Sequence, residues 1–169
     1  MKNVKTPEAI VYTSNTGYTA AYAKLLSDKT GIPAVPSKEL KFLKKGTPII
    51  YMGWIMANHI KGYRRAARYY DICAVCAVGL CDTGTLTDEV RSAEKLSDET
   101  PLFTLQGGMD HSKLRGINKF MINMLVKMLS KNEDPTDDEK RQLELIKNGG
   151  NFVDEANLAA PLQWLEECK

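Results

Sequence analysis

Short apolar runs alternate along this chain with segments whose apolar residues recur at helical spacing. The first run is EAIVYTS, Glu8–Ser14. A helical pattern follows over Tyr18–Lys29, with Ala21, Leu25 and Leu26 in phase, and Gly31 and Pro33 end it. A short extended piece, IPAVP, leads through KELKFLKKG to the second strong run, TPIIYMGW, Thr47–Trp54. A basic helix over about Ile60–Arg68 precedes the third run, DICAVCAVGL. DEVRSAEKL is a further helix, TPLFTLQG a fourth strong strand, and two or three helices finish the chain. The order β-α-β-β-α-β-α-β-α, with strands apolar along nearly their whole length, predicts an α/β fold with a parallel sheet covered on both faces. Such sheets bind ligands at the carboxyl ends of their strands, beside the switch in strand order. The polar loops TSNTGYT, GWIMANH, GLCDTGT and QGGMDHSKLRG each follow a strong strand, so they are expected to gather at one sheet edge.

Composition narrows the picture without redirecting it. A length of 169 residues suits one domain, expected over 1–169, and 43% hydrophobic residues provide a core. A net charge of +2 gives no argument for nucleic acid, and the basic cluster KGYRRAAR reads as a solvated helix face. Cys73 and Cys76 form a C-x-x-C within an apolar strand, where positions three apart point to opposite faces. They read as small buried hydrophobes, and no second cysteine or histidine pair offers zinc ligands. The segment MKNVKTPEAI lacks the apolar stretch of a secretory signal, and no segment is long enough to span a bilayer. The expected compartment is the cytoplasm.

The loop after the first strand carries the most chemistry. It opens a helix, where free N–H groups and the positive end of the dipole favour an anion. Hydroxyls at Thr13, Ser14, Thr16 and Thr19 add donors, and Gly17 lets the backbone approach closely. No lysine or arginine lies in the loop, so neutral donors alone are expected to hold the anion. That suits the terminal phosphate of a mononucleotide. Neither the triphosphate-binding loop G-x-x-x-x-G-K-[ST] nor the dinucleotide loop G-x-G-x-x-G is present.

TSNTGYT after an apolar strand resembles the phosphate loop of flavodoxins, roughly [TS]-x-T-G-x-T, and the resemblance covers the chain to about Gly108. It implies a flavodoxin-like three-layer sandwich, a five-stranded parallel sheet in the order 2-1-3-4-5, and FMN as cofactor. Ser14, Asn15, Thr16, Gly17, Tyr18 and Thr19 would then hold the phosphate. Tyr18 stands where flavodoxins often have asparagine, a change that leaves the backbone N–H in place. The resemblance further implies that Gly53, Trp54, Ile55 and Met56 run beside the isoalloxazine, with Trp54 either stacking on it or packing at the rim. Val78, Gly79, Leu80 and Cys81 would offer backbone groups to the pyrimidine edge. No aromatic residue lies in that last loop, so one flavin face is expected to be more open.

A helical extension begins at about residue 111. Ile117–Leu129 has apolar residues at 117, 120, 121, 124, 125 and 128, framed by Lys113, Lys119, Lys127 and Lys131. This helix is expected either to lie on a membrane surface through 117–129, to dock a partner, or to be a core helix. GGMDHSKLRGINKFMINMLVKMLSKNEDPTDDE resembles a subgroup of the superfamily, the menaquinone-dependent protoporphyrinogen dehydrogenases and related flavodoxin-domain proteins. That implies a lipophilic or quinone substrate. The remaining tail has two helical patterns and is longer than the subgroup implies. His111 follows the fourth strand, where proton transfer or simple exposure are both open, and His59 is placed at a helix start. No catalytic residue is singled out. Three functions stand side by side: an oxidoreductase acting on a quinone or porphyrinogen-like lipophile, an electron-transfer module docking redox proteins, and a cofactor-less flavodoxin-like binding domain.

Overall fold

A computed structural model describes residues 5–168, with backbone only for residues 40–42. The four strong apolar runs are strands: β1 (Ala9–Thr13), β3 (Pro48–Met56), β5 (Asp71–Gly79) and β6 (Leu102–Gln106), while the short piece Ala34–Pro36 is β2. They pair in parallel in the order β2-β1-β3-β5-β6. A sixth strand, β4 (His59–Ile60), pairs antiparallel with the end of β3, so the sheet has six strands rather than five.

Alternation along each strand divides the apolar residues between two cores. Val11, Tyr51, Val75 and Ala77 face one side, which is covered by Ala66 and Val90. Those two residues belong to α2 (Tyr63–Tyr69) and α3 (Thr87–Glu94). Ile10, Ile50, Met52 and Cys76 face the other, against Tyr22 and Leu26 of α1 (Tyr18–Thr30) and Leu165 of the C-terminal helix. Burial of this area on both faces supplies most of the stabilisation. The β3–β5 register slips between Ile49 and Ile50, pairing Ile49 with Ile72 and Ile50 with Ala74, so Cys73 has no partner residue across the ladder. All four cysteines are free thiols. Cys76 is buried as expected, whereas Cys73 is only half-buried; burial pushes the Cys76 thiol up to about 12 and is the main cause raising Cys73 to about 11.

Beyond β6 the chain forms β7 (Gly108–Met109), a 3-10 turn over His111–Lys113, and α4 (Gly116–Ser130). It returns through α5 (Asp137–Asn148) and β8 (Gly150–Asn151), which pairs antiparallel with β7, and ends in α6 (Ala159–Glu167). A capping box opens α5: the Thr136 hydroxyl accepts from Glu139 N–H while the Glu139 carboxylate accepts from Thr136 N–H. The α4–α5 pair therefore leaves and rejoins the body through one two-stranded clasp, and no residue of α4 is fully buried. Among the described residues no helix is long and apolar enough to cross a membrane.

Two details differ from the expectation. The segment GWIMANH is largely not a loop: β3 continues to Met56 and turns through Ala57 (φ 48°) and Asn58 (φ 62°) into β4. Two consecutive left-handed residues make the tight turn whose twist matches that of the flanking strands. The following helix begins at Tyr63, not Ile60, because Ile60 is paired with Ile55. His59 accordingly sits in β4.

Candidate functional site

The strand order reverses between β1 and β3, and the loops that follow β1, β3 and β5 converge there. In the first loop Gly17 takes a left-handed conformation (φ 102°) and immediately precedes α1, which has no side-chain cap bond at Gly17 and no acidic residue in its first turn. Ser14 Oγ accepts from Ala20 N–H at 3.3 Å. The N–H groups of Asn15, Thr16, Gly17, Tyr18 and Thr19 have no acceptor among the described residues. A row of unsatisfied donors at a helix start is what an anion requires.

The hydroxyls that looked alike in the sequence have different tasks. Thr13 Oγ1 is hydrogen-bonded to Ser37 Oγ at 2.8 Å and to the Tyr51 hydroxyl at 2.7 Å. Tyr51 in turn donates to the Lys61 carbonyl at 2.6 Å, and burial drives its phenol up to about 12. Gly62 is packed on this network so closely that a Cβ there would stand 2.2 Å from the Tyr51 oxygen. Thr13 thus ties β1 to β3 and to the chain after the hairpin. Tyr18 opens α1 and lays its ring against the Gly107–Gly108 backbone, where a Cβ on Gly108 would be 2.8 Å from a Tyr18 ring carbon. Burial, and secondarily the charge of Asp110, raise its hydroxyl above the ordinary tyrosine range.

The second wall is the β3–β4 hairpin. Its position is held by Glu94, whose side chain is only 1% exposed. One carboxylate oxygen accepts from Ile60 N–H at 2.6 Å and the other from Arg64 Nε at 3.1 Å, with His59 Nδ1 at 3.4 Å. Trp54 carries the Lys61 ammonium over its ring, 5.6 Å from the centroid. The third wall is the turn after β5. The Gly79 carbonyl accepts from Gly107 N–H at 2.8 Å and the Leu80 carbonyl from Gln106 Nε2 at 3.3 Å. The N–H groups of Leu80 and Cys81 are left without an acceptor among the described residues. Burial, helped by nearby carboxylates with Asp138 foremost, raises the Cys81 thiol.

Between these walls lies a cavity of about 590 Å³, within the size range of cofactor sites. Every candidate cofactor-binding residue from the sequence lines it except Thr13, Gly17 and Gly53. Thr13 is engaged elsewhere, Gly17 shapes the loop, and Gly53 is pressed against Ile60 and the Lys61 carbonyl. The lining is polar at the Ser14–Thr19 end and apolar along Trp54, Ile55, Leu80 and Leu86. Sequence reasoning missed the roof: Asn118, Met121, Leu125 and Leu129 of α4 close the cavity from above. Their signal was the helical stripe of 117–129, which gave the helix but not what it would cover. His111 is exposed and does not line the cavity. Compared with protein-family models, with curated proteins and with solved structures, the chain matches none.

Proposed function

We propose that this chain is a flavodoxin-like FMN-binding oxidoreductase whose partner is a quinone or porphyrinogen-like lipophile. The observation that carries the reading is the division of one cavity into two ends. One end offers unbonded N–H groups and hydroxyls to a single phosphate. The other is walled by Trp54, Ile55 and Leu80, with N–H donors at Leu80 and Cys81, and suits a flat heteroaromatic ring. Bound FMN would supply the electron and hydride chemistry. The chain's own residues do the rest: the first loop binds the phosphate, the hairpin and the turn after β5 orient the ring, and α4 excludes water.

Helix α4 supports the lipophilic partner. Ile117, Phe120, Met124 and Met128 lie on one stripe of its surface and are between 57% and 73% exposed, and Met124 and Met128 also line the cavity. An apolar surface running into an apolar cavity is a path for a water-insoluble molecule. Lys119 and Lys127 lie on the same helix, which holds no acidic residue, and this supports peripheral contact with an anionic lipid surface. A second reading, an electron-transfer module, draws on the exposed Lys61 held over the Trp54 ring, a cation suited to an acidic redox protein.

Purified protein that is yellow and releases FMN on denaturation supports both readings, whereas colourless protein that takes up no FMN overturns both. Sedimentation with anionic vesicles, lost in Phe120→Glu/Met124→Glu, supports the lipophile. Full turnover with a soluble redox protein and no binding to vesicles or quinone favours the electron-transfer module.

A further inference from the structure

The first loop has no cationic side chain of its own, so a phosphate monoester held there by amides would keep its double charge uncompensated. The fold brings a cation from nearly a hundred residues away in sequence (Gly17 to Lys113). After β7, Asp110 caps the 3-10 turn, its Oδ1 accepting from Ser112 N–H at 3.0 Å and from the Ser112 hydroxyl at 2.6 Å. That turn directs Lys113 back over the first loop: a Cβ built on Gly17 would stand 4.0 Å from Lys113 Nζ. The ammonium is only loosely paired, at 3.6 Å from Asp110 Oδ2, with the lysine side chain 58% exposed. An exposed pair of this kind is weak and readily exchanged for a stronger anion.

An independent observation points to a ligand at the same place. Thr19, in the first turn of α1, is 2% exposed and lines the cavity. Its hydroxyl has no hydrogen-bond partner among the described residues, and no fully buried side-chain polar atom among them is left unpaired. The Thr19 oxygen therefore opens onto the cavity, where it is free to bond a ligand.

We propose that Lys113 is the counter-charge of a phosphate-monoester site formed by the N–H groups of residues 16–19, the Thr19 hydroxyl and the Lys113 ammonium. The inference rests on the phosphate end of the flavin reading and not on its ring end. It has a mechanical consequence: Lys113 lies just before α4, so a bound phosphate ties the start of the cavity roof to the first loop. An occupied site holds the roof closed, and a ligand lacking the phosphate leaves that tie unmade.

The test uses the full chain, with Lys113→Ala, Lys113→Arg and wild type compared by circular dichroism to establish that all three fold. FMN and riboflavin are titrated by flavin fluorescence, and inorganic phosphate by thermal shift. Lys113→Ala is expected to weaken FMN about tenfold, leave riboflavin unchanged and abolish stabilisation by phosphate, while Lys113→Arg stays within about threefold of wild type. Stabilisation by phosphate that depends on Lys113, without binding of either flavin, would uphold this site and overturn the flavin reading instead. Lys113→Ala matching wild type toward FMN and phosphate, or a wild-type protein indifferent to both, would overturn the site.

Discussion

Tyr51 shows how much one side chain can be asked to do. Its ring is fully buried, yet its hydroxyl bonds both Thr13 and the Lys61 carbonyl, and burial raises its pKa from 10.0 to about 12. The group is an acid that titrates later in the folded chain than in the unfolded one. Below pH 10 both states are protonated and its contribution is complete; between about pH 10 and 12 the unfolded state loses its proton first and stability falls. Two units correspond to roughly 3 kcal/mol. Tyr51→Phe should therefore cost about 1 kcal/mol in urea denaturation at pH 8, from the lost hydrogen bonds, and progressively less as the pH approaches 12. A cost that is constant or grows with pH would contradict this. At the same scale, the proposed flavin site predicts that Thr16→Ala weakens FMN binding more than Trp54→Ala, because in it the loop would anchor the phosphate whereas Trp54 is one wall among several. The opposite order would make the ring the anchor. Residue types were legible in the sequence at this scale, but their assignments were not. Thr13 and Thr19 are both hydroxyls flanking one short loop, and only the distance to Tyr51 tells that Thr13 is spent on holding strands together while Thr19 faces the cavity.

Among the elements, the β3–β4 hairpin is the piece that local pattern concealed. Gly53 and Asn58 punctuate the segment as a loop, and Ala57 is not a residue that announces a left-handed turn. What fixes the hairpin is non-local: Glu94, at the far end of α3, accepts from Ile60 N–H and Arg64. Glu94→Ala leaves a buried donor unsatisfied and is predicted to cost about 2–3 kcal/mol in denaturant unfolding. A loss below about 1 kcal/mol would show that the hairpin stands without it. Helix α4 was the converse case. Its stripe announced a helix over 117–129, within two residues of the observed Gly116–Ser130, yet the stripe is wide enough to serve two surfaces. Ile122, Leu125, Val126 and Leu129 pack toward Met109 and Ile146, while Ile117 and Phe120 remain outside. Periodicity gives the phase of a helix, not which side the rest of the chain will claim.

On the scale of the whole molecule, the alternation of apolar strands and amphipathic helices was sufficient for an α/β fold with a mostly parallel sheet covered on both faces. The gathering of the loops at one edge follows from that topology. The roof does not, because it depends on the β7–β8 clasp, two pairs of residues joining positions about forty apart. Gly108 permits the clasp by having no side chain: a Cβ there would meet the Gly150 carbonyl at 2.3 Å. The cavity thus joins an early loop of unbonded N–H groups to a late apolar cover, and its function rests on whether one ligand engages both. Titration of the full chain, freed of any bound flavin, with FMN under an absorbance and fluorescence readout tests this most directly. Saturable one-to-one binding with quenched flavin fluorescence and a perturbed visible spectrum, tighter for FMN than for riboflavin, is the expected result; an unchanged spectrum through saturating FMN would overturn the flavin site.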